Sequence, residues 1–400
     1  MKAVFLTATS LESPAGLRYL PFAKALVRRG HECVLLALHH DLKPDTVRQV
    51  TLDGVQVRYV GQMHVRKVGN RKYYFSTTSL LRVALASTWR MAVQAARIEC
   101  DLLHLGKPQP INGLAGLIGG RLSNRRLFVD CDDYEAESNR FANAWLRRAV
   151  VLFEDKLPRL AAGVTVNTHF MQQRCVQCGV EPARIAYVPA GIDRERFALP
   201  EPAQVERLRR RWELEGCQVV GYMGSMSLTG HAVDLLLCAF SQLRVDHPKA
   251  KLLLVGGGED YDRLRAHVES LGLAQATRFV GWVPAGEIPA YLALADVTTD
   301  PVLDNLVARA RSPLKIVESL AVGTPVVTGD VGDRRELLAE GRAGVLVAPG
   351  DPQALADGLA RVLDQPDLRH CLAQGALVQR ERYYWDVLID QVVNLYATAR

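Results

Sequence analysis

The residues best placed to do chemistry stand together in the last third of the chain. They form the run Ser312-Pro-Leu-Lys315-Ile-Val-Glu318, followed by Gly323-Thr-Pro-Val-Val-Thr328. Ser312 reads as a helix N-cap, Pro313 as the first helical residue and Gly323 as the terminator. A helix start offers unpaired N–H groups and the positive end of the dipole, which suit a diphosphate. Lys315 in the first turn adds a cation, and Arg309 and Arg311 stand just upstream. Glu318 lies three residues after Lys315 and four after Leu314, so the three share a face. A carboxylate there can accept two hydroxyl hydrogen bonds, as a ribose would offer. The plain alternative is a capped surface helix with a Lys–Glu pair across one turn.

A second cluster is Asp130-Cys-Asp132-Asp133-Tyr-Glu135, at the end of an apolar run. Carboxylates this close repel one another unless solvated or paired. Asp132 or Asp133 could act as a base toward a hydroxyl, or orient it; either could equally cap the next helix. Lys107 follows Asp101-Leu-Leu-His104 in a loop, suited to an anionic group, and His104 reads as a half-buried strand residue. The eight cysteines are scattered, with a single CxxC at Cys175 and Cys178. This spacing predicts reduced thiols and no metal site.

The elements that must position these groups alternate in type. Strands are predicted at Ala3–Thr7, Glu32–Ala37, Leu102–Leu105, Leu127–Asp130, Gly163–Asn167 and Ile185–Val188, with helical patterns between them. After a pause near residue 190 the cycle restarts with Val219–Met223, Lys251–Val255, Thr277–Val280, Val297–Thr299 and Pro325–Thr328. Short apolar runs separated by helices predict parallel sheets covered on both faces. The reading is α/β, with a first Rossmann-like domain over 1–190 and a second over 191–375. A terminal helical segment over 376–400 carries Trp385, Leu388, Val392 and Tyr396 on one face; its packing back on the first domain is what the family resemblance given below implies. Ligand crevices lie at strand carboxyl ends, so the two domains are expected to face each other across a cleft.

Composition excludes other classes. With 48% hydrophobic and 23% charged residues the chain is globular, and 400 residues suit two domains. No apolar stretch reaches the about 20 residues of a spanning helix, and the apolar start is too short for a signal core. A cytoplasmic location follows as an expectation. Residues 1–190 hold 26 Lys and Arg against 15 Asp and Glu, whereas the remainder holds 23 against 28. This asymmetry points the first half at something anionic. A lipid-linked or polyanionic acceptor is expected, with peripheral contact at the inner membrane face and no nucleic acid. Arg66-Lys67, Arg71-Lys72-Tyr-Tyr-Phe75 and Trp145-Leu-Arg-Arg148 are the candidate lipid-facing runs. Thr7-Ala-Thr-Ser-Leu-Glu12 after the first strand has no GxGxxG, which disfavours a nicotinamide enzyme.

The run Ser312 to Thr328 resembles the donor-site signature of retaining GT-B glycosyltransferases of family 4, in which an EX7E motif leads into a helix and an Ala-x-Gly-x-Pro-Val-Val exit. Arg29-Gly-His-Glu32, Val188-Pro-Ala-Gly-Ile-Asp193, Leu254-Val-Gly-Gly-Gly258 and Phe279-Val-Gly-Trp-Val283 are similar to other segments of that family. The resemblance implies a GT-B fold and hexosyl transfer from a nucleoside-diphosphate sugar to an acceptor hydroxyl, with retention, without metal or cofactor. It implies that Glu318 holds the donor ribose, Lys315 the diphosphate, and Trp282 and Val283 the base. Gly224 and Ser225 would line the donor at the end of the second domain's first strand, and Gly16 would approach a phosphate from the loop Pro14-Ala15-Gly16. The chain departs from the pattern at Ala310, where the first Glu of EX7E should stand, and at Ser225 and His231, which replace two phosphate-binding cations. A UDP-sugar epimerase and a non-catalytic nucleotide-sugar-binding or assembly protein are the alternatives.

Overall fold

The computed structural model describes residues 1–11, 16–68, 71–139, 141, 143–228 and 230–399, the side chains at 67, 68, 71 and 72 excepted. It divides into two compact units, Met1–Pro189 with Trp385–Arg400, and Ala190–Tyr384.

The first unit contains strands β1 (Lys2–Thr7), β2 (Glu32–His39), β3 (Gln49–Leu52), β4 (Val55–Gln62), β5 (Val65–Val68), β6 (Arg71–Tyr74), β7 (Leu102–Gly106), β8 (Arg126–Cys131), β9 (Gly163–Val166) and β10 (Ile185–Tyr187). Eight of them make one sheet in the order β10-β9-β8-β7-β1-β2-β4-β3. Pairing is parallel except for the antiparallel edge strand β3. Strand β1 is buried from Ala3 to Thr7, because a central parallel strand is covered on both faces and must be apolar throughout. Sheet order reverses between β1 and β7, and such a switch point leaves a crevice at the strand carboxyl ends. Strands β3 and β4, and the separate β5–β6 hairpin that carries Arg66, lie where sequence reading names no strand.

The helix Pro110–Ser123 contains four glycines, each unfavourable in a helix by about 1 kcal/mol. Tertiary packing overrides that preference. A Cβ at Gly119 would meet Ala95 of the helix Thr77–Arg97, and one at Gly113 would strike Phe153 of the helix Ala144–Leu160. The glycines let the three helices lie close.

The second unit contains β11 (Val219–Met223), β12 (Lys251–Val255), β13 (Thr277–Gly281), β14 (Val297–Asp300), β15 (Val326–Gly329) and β16 (Gly344–Val347). Its six-stranded sheet has the order β13-β12-β11-β14-β15-β16. All its pairings are parallel, and the switch point falls between β11 and β14.

The chain returns to the first unit at Trp385 rather than at 376. The helix Pro366–Gln379 and the 3-10 turn Arg380–Tyr383 stay with the second unit, where Tyr383 and Tyr384 are buried in its core. The last helix, Trp385–Thr398, buries Trp385, Leu388, Ile389, Val392 and Tyr396 against the helix Gly16–Arg28 and the first sheet. Trp385 stacks on Phe22 with ring centroids 5.5 Å apart. His104 is not half-buried. It is sealed between Phe5, Phe22 and Tyr396, and burial lowers its pKa to about 4. Trp385→Ala should destabilise the first unit by about 3–5 kcal/mol through lost burial and the cavity it leaves, measured as a lowered urea midpoint with an unchanged slope.

Candidate functional site

In the second unit the groups with chemical potential gather at the switch point. Asp300 ends β14 with its carboxylate buried. Lys315 Nζ donates to its Oδ1 at 2.9 Å. Arg334 donates to Oδ2 from Nε at 2.9 Å, and its Nη2 lies 2.8 Å from the same oxygen. Burial would push the Asp300 carboxyl up, but the two cations outweigh it and hold it well below the usual range. Burial likewise works against the Lys315 ammonium, and Asp300 reverses that, so the Lys315 pKa is raised. One carboxylate between two cations leaves the cluster with net positive charge.

Lys315 is fixed from other sides too. Its Nζ lies 3.4 Å from His231 Nδ1 and 5.1 Å from the Tyr222 ring centroid. The Tyr222 hydroxyl donates to the Ser225 carbonyl at 2.8 Å. Gly224 lies beside this group, since a Cβ there would come within 3.2 Å of Lys315 Cε. Its own N–H donates to the Val255 carbonyl, closing β11 onto β12.

The helix that carries Lys315 and Glu318 spans Leu314–Val322, with Gly323 in the left-handed conformation at its end. Its start differs from the sequence reading. Pro313, not Ser312, takes the cap position, because its extended ψ of 101° places it outside the helix. The Ser312 hydroxyl instead accepts the Ala190 N–H at 2.9 Å. Leu314 packs at the edge of the unit's core. Glu318 is largely buried, and burial pushes its carboxyl up to about 7 against the pull of Arg196, whose Nη2 lies 3.4 Å away. Neither Arg196 nor Arg334 stands out by spacing in the sequence.

Other expected donor residues are distributed around this cluster. Arg309 is half exposed and paired with Asp304 at 2.7 and 2.8 Å. Arg311 donates to the Gly230 carbonyl at 3.2 Å. Ala310 is completely buried. Trp282 is 70% exposed beyond β13 and stands over Gly257, where a Cβ would clash with its indole. Val283 packs at the edge of the core.

In the first unit Lys107 follows β7 at the switch point, with φ of +70° in the left-handed region that a side chain seldom occupies. Asn112 holds this turn by donating to the Gly106 and Lys107 carbonyls. Lys107 is not poised alone in a loop. Its Nζ contacts Glu135 and lies 3.6 Å from Asp133 and 3.7 Å from Asp132. Burial pushes Asp132 up to about 7, with Lys107 pulling it down and Asp130 pushing it up. Asp133 accepts from the Tyr134 N–H and the Ser138 hydroxyl, which shapes the local turn. Beneath them Arg18 grips Asp130 at 2.7 and 2.9 Å and donates to the Val188 and Pro189 carbonyls. Gly16 is buried at the start of its helix, where a Cβ would strike the Leu11 carbonyl; Pro14 and Ala15 lie outside the described residues. Among the described residues no group of three His, Cys, Asp or Glu side chains could hold a metal ion.

Comparison with known proteins bears on both units. The family profile described as glycosyl transferases group 1 matches residues 204–378, and the glycosyl transferase 4-like domain matches residues 16–191. The chain is 31% identical over 281 residues to a GDP-mannose-dependent alpha-(1-6)-phosphatidylinositol monomannoside mannosyltransferase of Mycolicibacterium smegmatis, covering 69% of this chain and 70% of that one. It is 34% identical over 221 residues to a D-inositol 3-phosphate glycosyltransferase of Corynebacterium urealyticum, covering 54% and 51%. The chain spans about half the length of the inositol phosphate enzymes it matches. In fold it is similar to the sucrose-phosphate synthase of Thermosynechococcus elongatus, with a TM-score of 0.79 at 18% identity over 99% of this chain and 98% of that one. It is also similar to Anabaena HepE in complex with UDP-glucose, with a TM-score of 0.74 at 20% identity over the whole of both chains. These neighbours establish the GT-B fold alone.

Replacing Lys107 by Ala should cost about 3–5 kcal/mol of stability, because it strands buried carboxylates. Those carboxyls would then titrate higher in the folded than in the unfolded chain. The deficit should therefore be greatest at neutral and alkaline pH and shrink as acid protonates them, as read from urea midpoints across a pH series.

Proposed function

This chain belongs to the glycosyl transferases group 1, and we propose that it moves a hexosyl group from a nucleoside-diphosphate sugar to an acceptor hydroxyl. The observation that carries the reading is the positively charged Asp300–Lys315–Arg334 cluster at a switch point, one turn of helix away from a largely buried Glu318. Lys315 takes the diphosphate and stabilises it as it departs, with the helix start adding its dipole. Asp300 is not a reactant; it positions Lys315. Glu318 accepts hydrogen bonds from the two ribose hydroxyls, displacing the long contact to Arg196. The diphosphate charge is met by protein cations, so the reading needs no metal. Retention comes with the family resemblance.

On the acceptor side Lys107 is engaged by Glu135, so Asp132, with its carboxyl near 7, is the group for an acceptor hydroxyl. The basic excess of the first half favours a phosphate-bearing acceptor, and of the relatives named above one has D-inositol 3-phosphate and another phosphatidylinositol in its name. A second reading, a non-catalytic nucleotide-sugar-binding protein, is favoured by one observation. Ala310, at the position of the family's first Glu, is a buried methyl with no group to offer a sugar.

Calorimetric titration with UDP, GDP, ADP and dTDP should give one preferred nucleotide, and Lys315→Ala should weaken it by about 10- to 100-fold, as for a charge-assisted hydrogen bond. At about pH 6 Glu318 is mostly protonated and at about pH 8 mostly ionised, and only the ionised form accepts from both hydroxyls. Affinity should rise over that interval and flatten in Glu318→Gln. Absence of nucleotide binding would defeat both readings; binding without turnover of the matching nucleotide sugars would favour the second.

A further inference from the structure

The helix Ala144–Leu160 buries three residues, Glu154, Leu157 and Pro158, and Glu154 is the one that bears a charge. It is 5% exposed. Burial pushes its carboxyl up to about 7, against the pull of Arg174 and with a further push from Glu135. An ion in such a place is costly unless bonded, and an apolar side chain would serve packing at least as well. The carboxylate therefore needs a reason beyond the core.

The reason lies in its two bonds. Glu154 Oε1 accepts the Glu135 N–H at 2.6 Å, and Oε2 accepts the Ala136 N–H at 3.1 Å. These are the first two amides of the four-residue helix Glu135–Ser138, to which the cap residue Tyr134 makes no side-chain bond. Amides at a helix start have no partner within their own helix, and a single turn does not hold itself. A two-point grip from a neighbouring helix fixes both the place and the rotation of this turn.

The turn carries Glu135, which is buried. One of its oxygens contacts Lys107 Nζ, and the other accepts from Gln109 Nε2 at 2.6 Å and Asn139 Nδ2 at 3.1 Å. Lys107 is thereby kept on Glu135, with Asp133 at 3.6 Å and Asp132 at 3.7 Å. A small displacement of Glu135 is enough to let Lys107 pair with Asp132 instead, since one ammonium serves all three carboxylates. The other charges facing Asp132 are Asp130, Arg18 and Asp133. Arg18 is fixed on Asp130 and on the Val188 and Pro189 carbonyls, so the movable cation is Lys107.

We propose that Glu154 is a positioning residue for the acceptor side: its grip on the 135–138 turn keeps Glu135 on Lys107, and so keeps that ammonium from pairing directly with Asp132. The role of Asp132 toward a hydroxyl rests on the proposed function above; the coupling from Glu154 to Asp132 does not.

The test is a 13C carboxyl titration of the full chain labelled at its aspartate side chains, with the Asp132 signal identified by Asp132→Asn. In the unaltered chain that signal should titrate at about pH 7. Glu154→Gln keeps the shape but sets an NH2 group against one of the two amides. Asp132 should then titrate about 1–3 pH units lower, as a carboxyl does beside a cation. Glu135→Gln leaves the grip in place but releases Lys107, and it should lower the titration as well. The double substitution should lower it no further than Glu135→Gln alone, because both act along one path. A merely structural Glu154 would lower the thermal midpoint and leave the Asp132 titration where it was. That outcome, or additive effects of the two substitutions, would overturn the proposal. If Glu154→Gln does not fold, hydrogen exchange of the unaltered chain decides. The Glu135 and Ala136 amides should exchange at least about 100-fold slower than unprotected ones, and fast exchange there would overturn the proposal equally. No substrate enters these measurements, so their failure is separate from a failure to bind nucleotide, which would end the proposed function alone.

Discussion

A buried carboxylate that must never be left alone organises the second unit. Asp300 sits where β14 ends, and an ion taken out of water there is expensive unless matched at once. The match comes from two elements that follow the strand: Lys315 from the helix after β14 and Arg334 from the short helix after β15. Arg334 also donates to the Ala308 and Val331 carbonyls, so it fastens the loops that flank the site. The consequence is geometric before it is energetic. A lysine side chain has four rotatable bonds and would wander if solvated; held by Asp300 and bordered by Tyr222, it points one way. The charge left over after Asp300 is neutralised is the one that the diphosphate of the proposed function would meet.

The first unit solves the opposite problem. There Arg18 neutralises Asp130 completely, with Thr165 adding a hydrogen bond, and the aspartate is held low despite its burial. Lys107 is one ammonium among three carboxylates, and Asp132 is left with its carboxyl near 7. Two aspartates separated by one residue thus sit in opposite protonation regimes. Groups pushed apart in this way are what acid–base roles require. The main chain bears the strain of the arrangement: Lys107 adopts a left-handed backbone conformation, which Asn112 supports from below.

What sequence reading reaches follows from what periodicity encodes. Lys315 and Glu318 are legible because both stand on one helix with a glycine stop, and i, i+3 spacing is a local fact. Asp300, Arg334, Tyr222 and Arg196 are brought in by sheet order and register, which no local window contains. The start of the 314–322 helix is misread for a specific reason. Ser312 and Pro313 satisfy the usual cap pattern, but a tertiary hydrogen bond to the Ala190 amide takes the serine hydroxyl away from the helix. The alternation of strands and helices is visible wherever strands are fully buried. It fails at the β3–β6 segment, whose strands are short, partly polar or at the sheet edge. The glycine-rich helix at 110–123 is a case where propensity points away from the fold and close packing explains why.

The same packing carries a consequence for the surface. Glycines at 113 and 119 are needed on the inner side so that three helices can approach one another. Approach on the inner side brings their outer faces into one continuous strip. Were the helices at ordinary spacing, Leu85 and Ile118 would be isolated apolar residues in a polar field. Drawn together, they stand on two helices, 77–97 and 110–123, that contain no acidic residue. The cationic excess of residues 1–190 is therefore not spread evenly over the first unit. Arg18 and Lys107 are spent inside on carboxylates, and Arg82, Arg90 and Arg121 stand outside on those helices.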